Sequence, residues 1–194
     1  MKLKKNKSYL LNFARRQGKT TTLLDLVVKN AVSKPGSSSI CILLNYGMAG
    51  EFKTQLTKKL TDKGISIQKI HTNQAIYLTN GSKIILTWQE NAFDILRGRV
   101  IDFVYIDDLH PFSVINNYDI QFADICWGAY NLIITTSCTT TDLHLFKNMF
   151  KNKPYEIIIK PYVPVNEQVE KDLKAAGGNA NIGEITLGLS YGFF

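Results

Sequence analysis

Gly18-Lys19-Thr20 stands directly between an apolar run, Ser8 to Phe13, and an amphipathic stretch, Lys19 to Val32. A strand that ends at a glycine and passes at once into a helix aims backbone N–H groups and the positive end of the helix dipole at one spot, an arrangement that holds phosphate. Such a strand belongs inside a sheet with its helix packed on one face, so this feature confines the chain to an α/β architecture. In that geometry Gly18 lets the backbone approach a triphosphate, Lys19 neutralises its β and γ oxygens, and the Thr20 hydroxyl ligates Mg2+. Gln17 and Thr21, on either side, are expected as further nucleotide contacts. The pattern GxxxxGK[ST] is broken at its first position, where Phe13 replaces the glycine.

The remaining apolar runs fit the same architecture. Ser39 to Asn45, Ile101 to Asp107, Asn131 to Thr136 and Glu156 to Lys160 read as strands, and Ala49 to Lys63 and Asp142 to Phe150 read as helices. Ile76 to Thr79 and Lys83 to Trp88 flank Asn80-Gly81, which predicts a hairpin. The expectation is a P-loop, RecA/ASCE-like α/β fold: a mostly parallel sheet with helices on both faces and an inserted β-hairpin. With 194 residues, 45% of them hydrophobic, the chain can bury one good core, assigned here to residues 1–176. Residues 177–194 read as a Gly-rich linker followed by a tail in which Ile185, Leu187, Leu189, Tyr191 and Phe193 alternate with small or polar residues. That alternation fits an edge strand on its own domain or a tail that docks on a partner.

A second site element is Phe103-Val104-Tyr105-Ile106-Asp107-Asp108, an apolar strand ending in two carboxylates. Asp107 is placed to hold Mg2+ through water, and Asp108 to orient or deprotonate an attacking water. A third is Leu132-Ile133-Ile134-Thr135-Thr136-Ser137, whose hydroxyls end a strand where a γ-phosphate sensor belongs. The four arginines fall in two pairs, Arg15 with Arg16 and Arg97 with Arg99. Their planar donor forks suit phosphoryl oxygens, while local salt bridges to Asp102 or Glu90 are the competing reading. His71, His110 and His144 lack matched partners and are read as structural. Cys41, Cys126 and Cys138 have no metal-ligand spacing, so zinc and disulfide frameworks are set aside. A net charge of +7 favours an acidic partner such as nucleic acid. No apolar run reaches membrane-spanning length, and the expected location is the cytoplasm, that of the host cell for a viral protein.

Ala14-Arg15-Arg16-Gln17-Gly18-Lys19-Thr20-Thr21 resembles the arginine-bearing, glycine-poor Walker A of viral large terminase subunits, the ATPases that drive DNA into capsids. The likeness continues through Leu78-Thr79-Asn80-Gly81-Ser82-Lys83-Ile84, similar to the family's NGS hairpin, and Leu96-Arg97-Gly98-Arg99, similar to its RG segment. It ends at Thr135-Thr136-Ser137, in the place of the coupling motif, and spans about Tyr9 to Thr140. The resemblance implies an ATPase using ATP and Mg2+, with Arg15 or Arg16 sensing phosphate in cis. Arg97 or Arg99 would be a finger for the neighbouring subunit's ATP, and Thr135 and Thr136 would couple phosphate state to DNA movement. It also implies double-stranded DNA as partner, a homo-oligomeric ring such as a pentamer, and a portal on a capsid.

Three departures qualify what the resemblance implies. Asp108 stands where the family generally has glutamate, the lead before Gly18 leaves little room for an adenine-contacting segment, and no nuclease-type carboxylate cluster follows the ATPase core. The last points to a separate ATPase subunit or an excised domain, with a nuclease on another chain, or to a relative that translocates or remodels DNA without cutting it. A helicase-like ATPase and a catalytically weakened P-loop module for DNA binding or assembly are the alternative functions.

Overall fold

The computed structural model describes residues 8–14, 17–71, 74–96, 99–109, 131–137 and 155–160. Its strands are β1 (Ser8–Phe13), β2 (Ser38–Leu43), β3 (Ile67–His71), β4 (Ala75–Leu78), β5 (Lys83–Trp88), β6 (Phe103–Ile106), β7 (Asn131–Thr136) and β8 (Tyr155–Lys160). Three helices are described, α1 (Lys19–Ser33), α2 (Tyr46–Asp62) and α3 (Gln89–Leu96). The strands form one sheet in the order β3-β4-β5-β2-β6-β7-β1-β8. Every pairing from β5 across to β8 is parallel, and only β4 runs antiparallel to its two neighbours. The expected α/β fold with an inserted antiparallel element is therefore present.

Strand alternation divides the core between two faces. Tyr9, Leu11 and Phe13 turn to the face covered by α1 and α2, where Leu23, Val27, Phe52 and Leu56 pack. Leu10, Ile42, Val104 and Ile134 turn to the other face, in one cluster with Ala92 and Leu96 of α3. Burial on both faces explains why β1, β6 and β7 read as continuous apolar runs. Phe13, the residue in place of the usual glycine, completes β1 and is buried in the first of these clusters.

Element ends moved where side chains take over backbone bonding. The Asn45 side chain accepts from Met48 N at 3.0 Å and starts α2 at Tyr46, ahead of the expected Ala49. Strand β6 is shorter than expected because Asp102 binds Ser38 N at 2.8 Å and Lys34, while Asp107 turns out of the strand. Two elements lie beyond the sequence expectations. Strand β3 is a mostly exposed edge, and α3 begins on the polar triplet Gln89-Glu90-Asn91. The expected helix Asp142 to Phe150 and the alternating tail fall outside the described residues.

The predicted hairpin turn has a task at the far end of α1. Asn80 Nδ2 and Ser82 Oγ both donate to the Ala31 carbonyl at 2.9 Å, and Ser82 Oγ also reaches the Lys34 carbonyl at 3.2 Å. Gly36 N donates to Asn80 O at 3.1 Å. Gly81, at φ 83, lies close enough that a Cβ would sit 3.6 Å from Gly36 Cα. The turn thus satisfies carbonyls that the last turn of α1 leaves unpaired.

Candidate functional site

Strand β7 lies between β6 and β1, so the carboxyl ends of three parallel strands open side by side next to the first turn of α1. Gly18 enters the helix at φ 75, in the left-handed region that glycine adopts without steric cost. No side chain caps this end and its first turn holds no acid, so an anion meets free dipole there. Gln17 is buried, with its N–H bonded to Ala14 O at 3.2 Å, while Thr21 is exposed on the first turn.

The chain's own groups converge on this opening. Lys19 Nζ donates both to Asp108 Oδ1 and to Ser137 Oγ. Thr20 Oγ1 donates to Asp107 Oδ2 at 2.9 Å, and Thr135 Oγ1 donates to Asp107 Oδ1 at 2.7 Å. The same Thr135 oxygen accepts from Asp108 N at 2.8 Å, so one hydroxyl fixes both carboxylate residues. Asp108 sits at φ 52, a left-handed conformation that turns it away from the strand direction. Thr136 faces elsewhere, donating to the Leu109 carbonyl at 2.8 Å.

The two acids differ in environment. Asp107 is 1% exposed, whereas the Asp108 side chain is about half exposed. Burial pushes the Asp107 carboxyl above its ordinary range, and the Asp108 charge adds to that push. Hydrogen bonds from Thr135 and Thr20, and the Lys19 charge, pull the other way. The Thr20 hydroxyl and the Asp107 carboxylate are adjacent hard oxygen donors, a set that fits Mg2+ completed by phosphate and water.

Lys19, Thr20, Asp107, Asp108 and Thr135 are thus brought together, with Gly18 at the helix entrance. Ser137, the last hydroxyl of the strand motif read from the sequence, joins them through Lys19. Arg99 is exposed at the other end of β6, where neighbouring Asp102 N donates to Ser38 O at 2.8 Å, away from this chain's own site. Asp102 pairs with Lys34. Arg15, Arg16 and Arg97 lie outside the described residues.

Residues 10–179 match the family model described as terminase large subunit, T4likevirus-type, N-terminal. Comparison with curated proteins found no match. Among solved structures, the large terminase ATPase domain of Thermus phage P74-26 aligns with a TM-score of 0.67 at 15% identity, covering 97% of this chain and 90% of that one. The large terminase of another thermophilic bacteriophage, in complex with ADP, gives a TM-score of 0.67 at 16% identity, covering 95% of this chain. The complex of that same protein with ATP-gamma-S gives 0.65 at 15%, again over 95% of this chain. The chain spans about half the length of this second phage protein, 48% and 47% in the two structures. The family match over most of the chain, the shared fold and the convergence of Lys19, Thr20, Asp107 and Asp108 at one sheet edge lead to one conclusion: this chain belongs to the T4-type large terminase family, matching its N-terminal region.

Proposed function

We propose that the chain hydrolyses ATP and couples the reaction to translocation of duplex DNA during viral genome packaging. The observation that carries this reading is the meeting of Lys19, Thr20, Asp107, Asp108, Thr135 and Ser137 from α1, β6 and β7 at the carboxyl edge of the sheet. The thermophilic phage terminase is described in complex with ADP and with ATP-gamma-S, which supports a nucleotide as ligand.

In this reading the first turn of α1 and Lys19 bind the phosphates, with Gln17, Gly18 and Thr21 along the same turn. Thr20 and Asp107 would hold Mg2+, which offsets charge on the phosphoryl oxygens when bound. Asp108 orients and deprotonates the attacking water, and Thr135 positions it through the backbone bond to Asp108 N. Lys19 must exchange Asp108 and Ser137 for phosphate, which frees the Asp108 carboxylate and the Ser137 hydroxyl together. Thr135 and its neighbour Thr136 then carry the phosphate state into β7. Arg15 or Arg16 is assigned to phosphate sensing in cis, and Arg97 or Arg99 to a neighbouring subunit's ATP in a homo-oligomeric ring on a capsid portal. A nuclease is assigned to a further domain or chain.

Steady-state ATP hydrolysis, with and without duplex DNA, tests the proposal. Turnover should rise with duplex DNA and fall at least about a hundredfold in Lys19→Ala and Asp108→Asn. Asparagine also tolerates the left-handed backbone at position 108, so that variant isolates the carboxylate from the conformation. Stimulation by single strands over duplex would instead favour the helicase-like reading. Wild-type turnover no higher than that of Lys19→Ala would leave a binding or assembly module, the reading that the engaged, shorter Asp108 side chain favours.

A further inference from the structure

A second opening lies on the same edge of the sheet, beyond β6. A cleft of about 520 Å3 opens between Tyr46 and Trp88 over Gly47 and Gly50, with Glu51 and Lys53 among its lining and Leu86 and Ala49 in its apolar wall. It is separate from the nucleotide site, since it opens beside β2 and β5 while Lys19 follows β1, three strands from β2.

The lining of the cleft is shaped for an apolar guest. Tyr46 stands 72% exposed and edge-on to Trp88, with ring centroids 5.1 Å apart. Gly47 and Gly50 lie one turn apart in α2, and both line the cleft. Glycine in a helix is less favourable than alanine, because it gives up more backbone freedom on folding. Nothing among the described residues explains that cost at Gly50, whose φ is ordinary and whose added Cβ would meet nothing within 4 Å. A bare helix surface beneath two aromatic rings is suited to close approach by another stretch of polypeptide.

The chain supplies a matching stretch. Ile185, Leu187, Leu189, Tyr191 and Phe193 alternate with Glu184, Thr186, Gly188, Ser190 and Gly192. When extended, such a segment carries all five large apolar side chains on one face, which must be covered. Its one charge, Glu184, would meet a rim that carries both Lys53 and Glu51, so the apolar face rather than charge is what matches the cleft. Strand β8 runs parallel to β1 and ends at Lys160, so the chain leaves the sheet at the edge where the cleft opens. The five strand spacings from β8 to β5 amount to about 24 Å. The intervening stretch from Lys160 to Ile185 can extend to about 80 Å, so reach does not limit docking.

We infer that the Tyr46–Trp88 cleft receives the chain's own segment Glu184 to Phe193, seating its apolar face over Gly47 and Gly50. This goes beyond the nucleotide site and does not rest on its assignment.

Disulfide trapping in the full chain tests the inference. Gly50→Cys combined with Phe193→Cys, mildly oxidised, should give a disulfide between the two introduced thiols, identified by peptide mass mapping. Adding Tyr46→Ala should cut its yield roughly tenfold, as loss of an aromatic anchor does. The control pair Val100→Cys with Phe193→Cys uses a position 82% exposed at the opposite edge and should link at no more than about a tenth of the yield. The Gly50 change fills open space in an ordinary helix, so misfolding does not confound it. No link between positions 50 and 193, or equal linking at position 100, would overturn the inference whatever the ATPase assay returns.

Discussion

Asp107 and Asp108 are adjacent in sequence but stand in opposite surroundings, one sealed beneath two threonine hydroxyls and one half in solvent. A carboxyl whose pKa is raised on folding binds its proton more tightly in the folded state. Its contribution therefore opposes folding as pH rises from about 3.9 through the raised value, and levels off above it. Asp107→Asn should accordingly flatten the fall in stability over that window and raise the nucleotide-free melting temperature at neutral pH, measured by pH-dependent thermal unfolding. The same substitution should remove Mg2+-dependent nucleotide binding. In the wild type that binding should weaken on acidification through the raised pKa, by at most about tenfold per pH unit. Both carboxylates were legible in the sequence because an apolar strand running into two acids is a local pattern. Ser137 was legible as the last hydroxyl of a sensor-like strand end, but not as the partner of Lys19, since that meeting joins positions 118 residues apart.

Helix α1 shows how an element is held from both ends. Its entrance depends on Gly18 and its exit on Asn80 and Ser82, which reach Ala31 O across about fifty residues of sequence. Between them, Asn30 Nδ2 donates to the buried Tyr105 hydroxyl at 2.6 Å, tying the helix to β6. Burial pushes the Tyr105 hydroxyl pKa well above its ordinary value, so this link stays protonated across the working range. Asn80→Ala removes two hydrogen bonds, to Ala31 O and Ser82 N. It should lower stability by about 1–3 kcal/mol in urea unfolding. Amide exchange should quicken at the last turn of α1 while exchange in β6 changes little. The Asn80-Gly81 turn itself was readable because the dipeptide demands a hairpin. Strand β3 was not, because an exposed edge has no apolar alternation to reveal it, and α3 was not, because its polar start hides the face that meets the sheet.

At the scale of the whole molecule, Arg99 precedes β6 whereas Asp107 follows it, a placement in keeping with the proposed role in a neighbouring copy's site. Within the proposed ring, Lys19→Ala chains and chains carrying both Arg97→Ala and Arg99→Ala should each be inactive alone. Mixed, they should recover turnover, because sites with an intact Lys19 would border neighbours with intact arginines. An ATPase assay across mixing ratios checks this, and a flat, inactive series would remove the arginines from the trans role. Among the described residues no helix is long and apolar enough to cross a membrane. The sequence by itself determined the strand-glycine-helix entrance, the acidic end of β6, the hairpin turn and the α/β class. Each of these is written in a few neighbouring residues whose periodicity and backbone demands act locally. Only the tertiary structure decided that β7 lies between β6 and β1, that Thr135 clamps both acids and that the hairpin closes α1. Those pairings join distant segments, and their free energy comes from burying two sheet faces at once rather than from any local preference.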